Sequence, residues 1–113
     1  MCLAIAFELV PDRAQAHRLE RLSGLASFYS IGYKGPTADG ERYDPKRFTA
    51  AHRSLPFGTR LRVTDPATHR SVTVVVNDRG PFIKNRILDL SLAAAKALHI
   101  INRGVVKVTA VVK

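Results

Sequence analysis

Residues 71–82 read SVTVVVNDRGPF, a run of β-branched residues that stops abruptly at polar and turn-forming ones. Valine and threonine favour extended structure, so the run predicts a strand. The period of two places alternate valines on one face (Val72, Val74 and Val76). Continued by two residues, the same period places Asp78 on that face, near the rim of the core. The Gly80–Pro81 pair favours a bend. The segment therefore predicts either a polar strand-end turn or an acid held by that turn.

Other segments share the composition of this strand. The predicted strands are GLASFYS (24–30), a brief one at 50–52, TRLRVTD (59–65), SVTVVVND (71–78), RILDL (86–90) and GVVKVTAVVK (104–113). In the third, Leu61 and Val63 alternate with polar residues, which predicts one wet face. PATHR, between the third and fourth, suits the turn of a hairpin.

Helical signals are few. SLAAAKALHI (91–100) has high helix propensity, with Ser91 as the predicted N-cap and Asn102 and Gly104 as the predicted end. A shorter helical turn is predicted to begin at Pro45. Five or six strands with one or two small helices favour an all-β closed barrel, because closure removes exposed strand edges.

The chain has 113 residues, of which 46% are hydrophobic and 24% charged, as is typical of one globular domain. Its one cysteine, Cys2, excludes an internal disulfide and a Cys-based zinc site. Lys and Arg outnumber Asp and Glu by 18 to 9, which gives a formal charge of +9. This excess predicts a basic face that attracts an anionic polymer, a nucleic acid or a membrane surface, or that serves solubility alone.

The N-terminal segment differs from the rest. Residues 1–23 are predicted to be a partly helical or flexible lead-in, and residues 24–113 the folded domain. The opening MCLAIAFELV is too short to span a bilayer and has no basic residue before its apolar run. No export signal or stable membrane span is therefore evident from this stretch.

Three further motifs carry candidate functional side chains, each with a structural alternative. TADGE (37–41) is a tight turn followed by Glu41, which is either an exposed acid or a functional one. In AAHRSLPFG (50–58), His52 lies at the mouth of a turn and is either incidental or functional. In RILDLS (86–91), Asp89 alternates with Ile87 and either binds nearby amides or contributes to a site.

Together these segments resemble one protein family. GLASFYS, TADGERYD, TAAHRSLPFGTRLRV, VNDRGPF and RILDLSLAAAKAL occur in the order typical of the rare lipoprotein A family, which comprises bacterial peptidoglycan lytic transglycosylases. The resemblance spans residues 24–112. It implies a six-stranded double-psi β-barrel in the cell envelope, either periplasmic or extracellular. TADGE here replaces the commoner TANGE, a minor change because Asp and Asn both favour turns.

The resemblance also implies a chemistry and a set of site residues. Family members cut the bond between N-acetylmuramic acid and N-acetylglucosamine, preferably in peptide-poor strands, and leave a 1,6-anhydro ring. The family's Glu, His and Asp correspond to Glu41, His52 and Asp78, of which Asp78 would be the general acid and base. Four further residues would contact substrate: Tyr29, Asn77, Arg79 and Asp89. Of these, Asp89 is the alternative acid. The chemistry needs neither a metal nor a cofactor.

Two other functions fit parts of the same pattern. A non-catalytic module that binds or loosens wall polysaccharide, as in the related expansins, would use the same residues to line a groove. A nucleic-acid binder is supported by charge alone, since the sequence has no recognition helix, zinc finger or interleaved aromatic platform. We therefore expect a monomer that acts on peptidoglycan glycan strands and does not bind nucleic acid.

Overall fold

Six strands and one short helix make up residues 21–113, the part of the chain that the computed structural model describes. The elements are β1 (Arg21–Phe28), β2 (Thr49–Ala51), β3 (Arg60–Asp65), β4 (Arg70–Asp78), β5 (Arg86–Leu90), α1 (Leu92–Ala97) and β6 (Val106–Val112). The strands close into a barrel in the order β1-β5-β2-β4-β3-β6. The predicted six-stranded barrel is thus confirmed, and β5 coincides with the predicted RILDL.

Two parallel pairs, β1 with β5 and β2 with β4, interrupt an otherwise antiparallel barrel. The core fills the barrel with aliphatic side chains from alternate strand positions, among them Leu61, Val63, Val74, Val76, Leu88 and Leu90. On β3 the arginines at 60 and 62 are exposed while Leu61 and Val63 are buried, so the predicted wet face is confirmed. One face of each strand builds the core, and the other is available for a site.

Helix α1 begins as predicted and ends earlier. The Ser91 hydroxyl accepts a hydrogen bond from Ala94 N at 3.2 Å, which confirms the N-cap. The helix ends at Ala97, however, because His99 adopts a positive φ of 59°. The amides of His99 and Ile100 then donate to the carbonyls of Lys96 and Ala95, a Schellman ending. This turns Ile100 into the core, so the predicted end at Asn102 and Gly104 was wrong.

Two other predicted boundaries also differ. No helix forms at Pro45: Arg47 N donates to Asp44 O at 3.2 Å and Lys46 N to the Asp44 carboxylate, so the segment is a single turn. Strand β1 begins at Arg21 rather than 24, because its pairing with β6 continues as far as Val111. The predicted lead-in lies largely outside the described residues, as does the apolar stretch at 1–10.

No helix within residues 21–113 is long and apolar enough to cross a bilayer.

Candidate active site

A bulge at the end of β4 sets the direction of Asp78. Ala50 pairs with Val76, but Ala51 pairs with Asp78, so Asn77 is an extra residue opposite β2. Residues that pair across strands share a face, and Asp78 therefore lies level with Ala51, opposite the core valine at 76. The prediction that Asp78 shares the valine face was wrong, because one inserted residue reverses the alternation.

The bulge completes a row of side chains across four adjacent strands on the outer face of the barrel. Ser27 on β1 pairs with Asp89 on β5, Asp89 with Ala51 on β2, and Ala51 with Asp78 on β4. Neighbouring strands lie about 4.8 Å apart, so the backbones of the two aspartates are separated by about 10 Å. Only the small Ala51 lies between them. The row therefore carries a carboxylate on each side of Ala51, and we refer to the surface above it as the cleft.

The Asp78 carboxylate is held by three donors from three parts of the chain. The Tyr29 hydroxyl, just after β1, donates to Oδ2. The backbone amides of Ala38 and Arg79 donate to Oδ1 at 2.7 and 2.8 Å. Donors on both oxygens fix the orientation of the carboxyl group. The NDRGPF turn therefore supplies one of the groups that hold its own acid.

Arg79 does not pair with the Asp78 carboxylate through its side chain. Its guanidinium lies over the Phe57 ring, 4.1 Å from the centroid, and donates to the His52 carbonyl at 3.3 Å. Stacking on an aromatic face is a favourable position for a guanidinium. Arg79 thus ties the Asp78 turn to the loop after β2 and leaves a positive charge beside the cleft.

Tyr29 belongs to a cluster of three tyrosines. Its ring stacks on Tyr43 at 4.3 Å between centroids and lies 5.6 Å from Tyr33. Burial and the hydrogen bond to Asp78 raise the pKa of Tyr29, so its hydroxyl stays protonated as a donor. The Tyr43 hydroxyl in turn accepts a hydrogen bond from Leu92 N at 3.0 Å. The cluster connects the acid to the start of α1.

His52 is oriented by its own loop. Its Nδ1 accepts hydrogen bonds from Ser54 N at 3.1 Å and Leu55 N at 3.0 Å, so the neutral ring carries its proton on Nε2. Burial, with the nearby charges of Arg79 and Arg53, lowers the pKa of His52 and favours that neutral form. The His52 backbone N–H donates to the Asp78 carbonyl at 3.1 Å. Within residues 21–113 its ring makes no hydrogen bond to the acid.

Glu41 lies in the turn that supports Asp78, and its carboxylate makes no hydrogen bond within the described residues. Its backbone N–H donates to Asp39 Oδ1 at 3.1 Å, as expected of the Asp39–Gly40 turn. The hydrogen bond from Thr37 lowers the pKa of Asp39 and keeps it ionised in that turn. Asp39 N also donates to Asn77 O at 3.2 Å. TADGE is therefore a turn that delivers Ala38 N to the acid, with Glu41 exposed beside it.

The remaining predicted residues differ in their surroundings. Asp89 accepts a hydrogen bond from the Ser27 hydroxyl and faces the cleft. Asn77 is only 9% exposed, and its Oδ1 has no hydrogen-bond partner within the described residues. The same part of the chain contains no cluster of three His, Cys, Asp or Glu side chains suited to a metal ion.

Tyr33, Ala38, Tyr43 and Phe57 were not predicted as site residues. Phe57 lies in the quoted AAHRSLPFG motif, and the tyrosine spacing is visible in the sequence. Nothing local indicates that Ala38 reaches Asp78, because that contact joins residues 40 positions apart.

The closed six-stranded barrel with its two parallel strand pairs defines the class of protein: it is a double-psi β-barrel. The chain belongs to the lytic transglycolase family, whose sequence profile matches residues 21–110. It is 51% identical over 88% of its length to a probable endolytic peptidoglycan transglycosylase RlpA of Nostoc, of which it covers 28%. It is 49% identical over 75% of its length to the endolytic peptidoglycan transglycosylase RlpA of Campylobacter jejuni, of which it covers 31%. It thus spans less than a third of these two relatives.

Solved structures of proteins with other names share this fold. A Streptomyces papain inhibitor superposes with a TM-score of 0.67 at 25% identity, covering 81% of this chain and 93% of the inhibitor. An expansin of Clavibacter michiganensis superposes with a TM-score of 0.66 at 27% identity, covering 82% of this chain and 50% of the expansin. A mutant of a Clavibacter michiganensis expansin was solved in complex with cellohexaose.

Proposed function

We propose that this domain is a peptidoglycan lytic transglycosylase of the bacterial cell envelope, with Asp78 as its acid and base. The observation that carries the proposal is the Asp78 carboxylate, held at the cleft by Tyr29 and by two backbone amides. Relatives at about 50% identity are named endolytic peptidoglycan transglycosylases, which supports the same reaction here. The substrate is the bond between N-acetylmuramic acid and N-acetylglucosamine, in peptide-poor strands.

The reaction needs one carboxyl group that gives up a proton and then regains one. Protonated Asp78 donates to the glycosidic oxygen as the bond from C1 of the muramoyl sugar to that oxygen breaks. The C6 hydroxyl of the same sugar then attacks C1, and its proton passes to Asp78. The net change moves a hydrogen from O6 to the leaving oxygen and adds no water. Because the nucleophile belongs to the substrate, a second catalytic carboxylate is not obligatory.

The two oxygens of the Asp78 carboxyl group have different hydrogen-bond partners, and we propose that they have different roles. Two backbone N–H groups fix Oδ1, so we assign the proton exchange to Oδ2. The Tyr29 hydroxyl donates to Oδ2, so the glycosidic oxygen must either take the place of that hydroxyl or approach Oδ2 beside it. This assignment makes Tyr29 a positioning residue for the acid.

The other predicted residues would act on the sugar. His52 Nδ1 is taken by two amides, so its Nε2–H is the atom proposed to donate to the glycan. Glu41 would stabilise positive charge that develops at C1, and Arg79 would attract the lactyl carboxylate. Asn77 is proposed to act through the bulge that aims Asp78 rather than by direct contact. Asp89 remains the alternative acid.

A second candidate is a non-catalytic module that binds wall polysaccharide. It is favoured by the superposition on an expansin at 27% identity and by the cellohexaose complex of an expansin mutant. In that case the cleft would bind a glycan strand, and Asp78 would only contact it. The two functions require the same groove and differ in whether a bond breaks.

Incubation with purified, peptide-free glycan strands separates the two candidates. Mass spectrometry of the products should show 1,6-anhydromuramoyl ends, which are lighter by one water than the ends that hydrolysis leaves. Products with an added water would contradict the lytic mechanism. Bound but uncut strands would favour the wall-binding module. Asp78→Asn, which keeps the size of the side chain, is the matched control for contaminating activity.

A further inference from the structure

A groove of about 640 Å³ lies on the outer face of the barrel, beside the middle of β1 and the start of β5. None of its lining residues is acidic, and four of them are cationic: Arg53, Lys84, Arg86 and Lys107. Lys107 and Arg86 both pair with Leu25, from opposite sides, so their side chains share its face. The groove is therefore a basic surface built on Leu25.

Gly24 shapes the wall of this basic groove. A Cβ at this position would lie 2.7 Å from Ile87 Cγ2 and 3.2 Å from the Asn85 carbonyl, closer than side chains pack. A side chain at this position would therefore displace Ile87 and push the segment before β5 away from β1, where Leu25 N donates to Asn85 O at 2.9 Å. The approach brings Lys84 and Arg86 to the groove.

The four cationic side chains of the groove differ in their contacts. Arg53 donates from Nε to Pro81 O and from Nη2 to the carbonyls of Ile83 and Arg86, at 2.8 to 2.9 Å. Its guanidinium thus holds the segment that forms the groove. The side chains of Lys84, Arg86 and Lys107 make no hydrogen bond or ion pair within residues 21–113. Three cations therefore line one surface without a partner from the described part of the chain.

The basic groove lies next to the row that carries the two aspartates. Ser27 follows Leu25 by two residues and points to the same face, about 7 Å further along β1, where it binds Asp89. Arg53 directly follows His52 in the chain, and its charge contributes to the lowered pKa of that histidine. A polymer lying over Asp89 and Asp78 therefore reaches the groove without leaving the surface.

We propose that the basic groove is a subsite for free carboxylates of the glycan strand, borne by sugars beyond the one that reacts at Asp78. This inference rests on the proposed function, since it takes the occupant to be the same strand. Muramic acid carries a lactyl carboxylate, and an anion that reaches Lys84, Arg86 and Lys107 satisfies donors that a neutral glycan leaves unpaired. The groove makes the charge of the strand a determinant of affinity.

The test measures binding in the Asp78→Asn background, so that cleavage does not alter the ligand. The groove variant adds three neutral substitutions, Lys84→Gln, Arg86→Gln and Lys107→Gln. A control variant removes the same charge from exposed positions outside the groove, Arg60→Gln, Arg62→Gln and Arg70→Gln. The probes are peptide-free strands, the same strands with their carboxylates amidated, and polyphosphate.

We expect the groove variant to bind peptide-free strands about tenfold more weakly at low salt, as three partly exposed ion pairs together would give. Its affinity for amidated strands should stay within about twofold of the Asp78→Asn parent, and the control variant should match the parent on both probes. An equal loss in both variants would reduce the effect to net charge and overturn the proposal. So would an unchanged groove variant, or a loss confined to polyphosphate. Absence of anhydro products from the unsubstituted protein would contradict the proposed function alone.

Discussion

Asp78 and Asp89 lie on either side of Ala51 in the same row, yet their surroundings differ. Asp78 accepts hydrogen bonds from Tyr29, Ala38 N and Arg79 N, which belong to three separate segments. Within residues 21–113, Asp89 accepts a side-chain hydrogen bond from Ser27 alone, its neighbour within the sheet. One carboxylate is fixed by converging loops and the other by a single strand contact.

This contrast favours Asp78 over Asp89 as the proposed acid. Proton transfer depends on geometry within a few tenths of an ångström, and Asp78 has donors on both of its oxygens. The loop that supplies Ala38 N also carries Glu41, and His52 donates from its backbone N–H to the Asp78 carbonyl, whereas the surroundings of Asp89 are mostly strand. Functional groups concentrate on loops held by a rigid scaffold. We therefore propose that the reaction takes place at Asp78 and that Asp89 binds the neighbouring sugar.

The largest expected effect comes from exchanging each carboxylate for its amide. Asp78→Asn should reduce the rate of anhydro-product formation by about 10³-fold, within the range for loss of a general acid. Asp89→Asn should reduce it by about tenfold or less, through weaker binding. Initial rates on peptide-free strands, with circular dichroism to verify folding, measure both. A larger loss for Asp89→Asn would assign the acid to β5 instead.

Much of the barrel could be predicted because its strands follow local rules. The β-branched run of β4 and the alternation at Leu61 and Val63 predicted both the strands and their buried face. RILDL was bounded correctly, and Ser91 was identified as the N-cap from its chemistry alone. The end of α1 was not predicted, because His99, rather than a glycine, adopts the positive φ there.

The site was less predictable, because it depends on pairing between distant segments. The bulge at Asn77 exists only relative to β2, so the alternation of β4 alone put Asp78 on the wrong face. The donation from Ala38 N to Asp78 likewise depends on the fold. The resemblance to a family named the candidate acid, whereas the donors that hold it required the structure.

A smaller effect should come from removing the hydroxyl that serves each carboxylate. Tyr29→Phe keeps the stack on Tyr43 but loses the donor to Asp78, so we expect about a tenfold lower rate with little change in KM, as for loss of a hydrogen bond to a charged group. Ser27→Ala loses the donor to Asp89 and should change the rate by no more than about threefold. The same strand-cleavage assay compares them. Equal losses would mean that the two carboxylates contribute alike, against the contrast drawn above.

The smallest expected effect is a change in the pH dependence of stability, and it comes from His52, whose backbone N–H donates to the Asp78 carbonyl. Burial and two arginines lower its pKa in the folded state, whereas the unfolded chain has the ordinary value of about 6.5. Between the two values the unfolded chain binds more protons, so the free energy of unfolding should fall as pH drops below about 6.5. Urea denaturation from pH 7.5 to 5 should show this slope, and His52→Gln should reduce it.

Nitrogen NMR at neutral pH should find the His52 proton on Nε2. A proton on Nδ1 would contradict the two backbone hydrogen bonds and remove the proposed donor to the glycan.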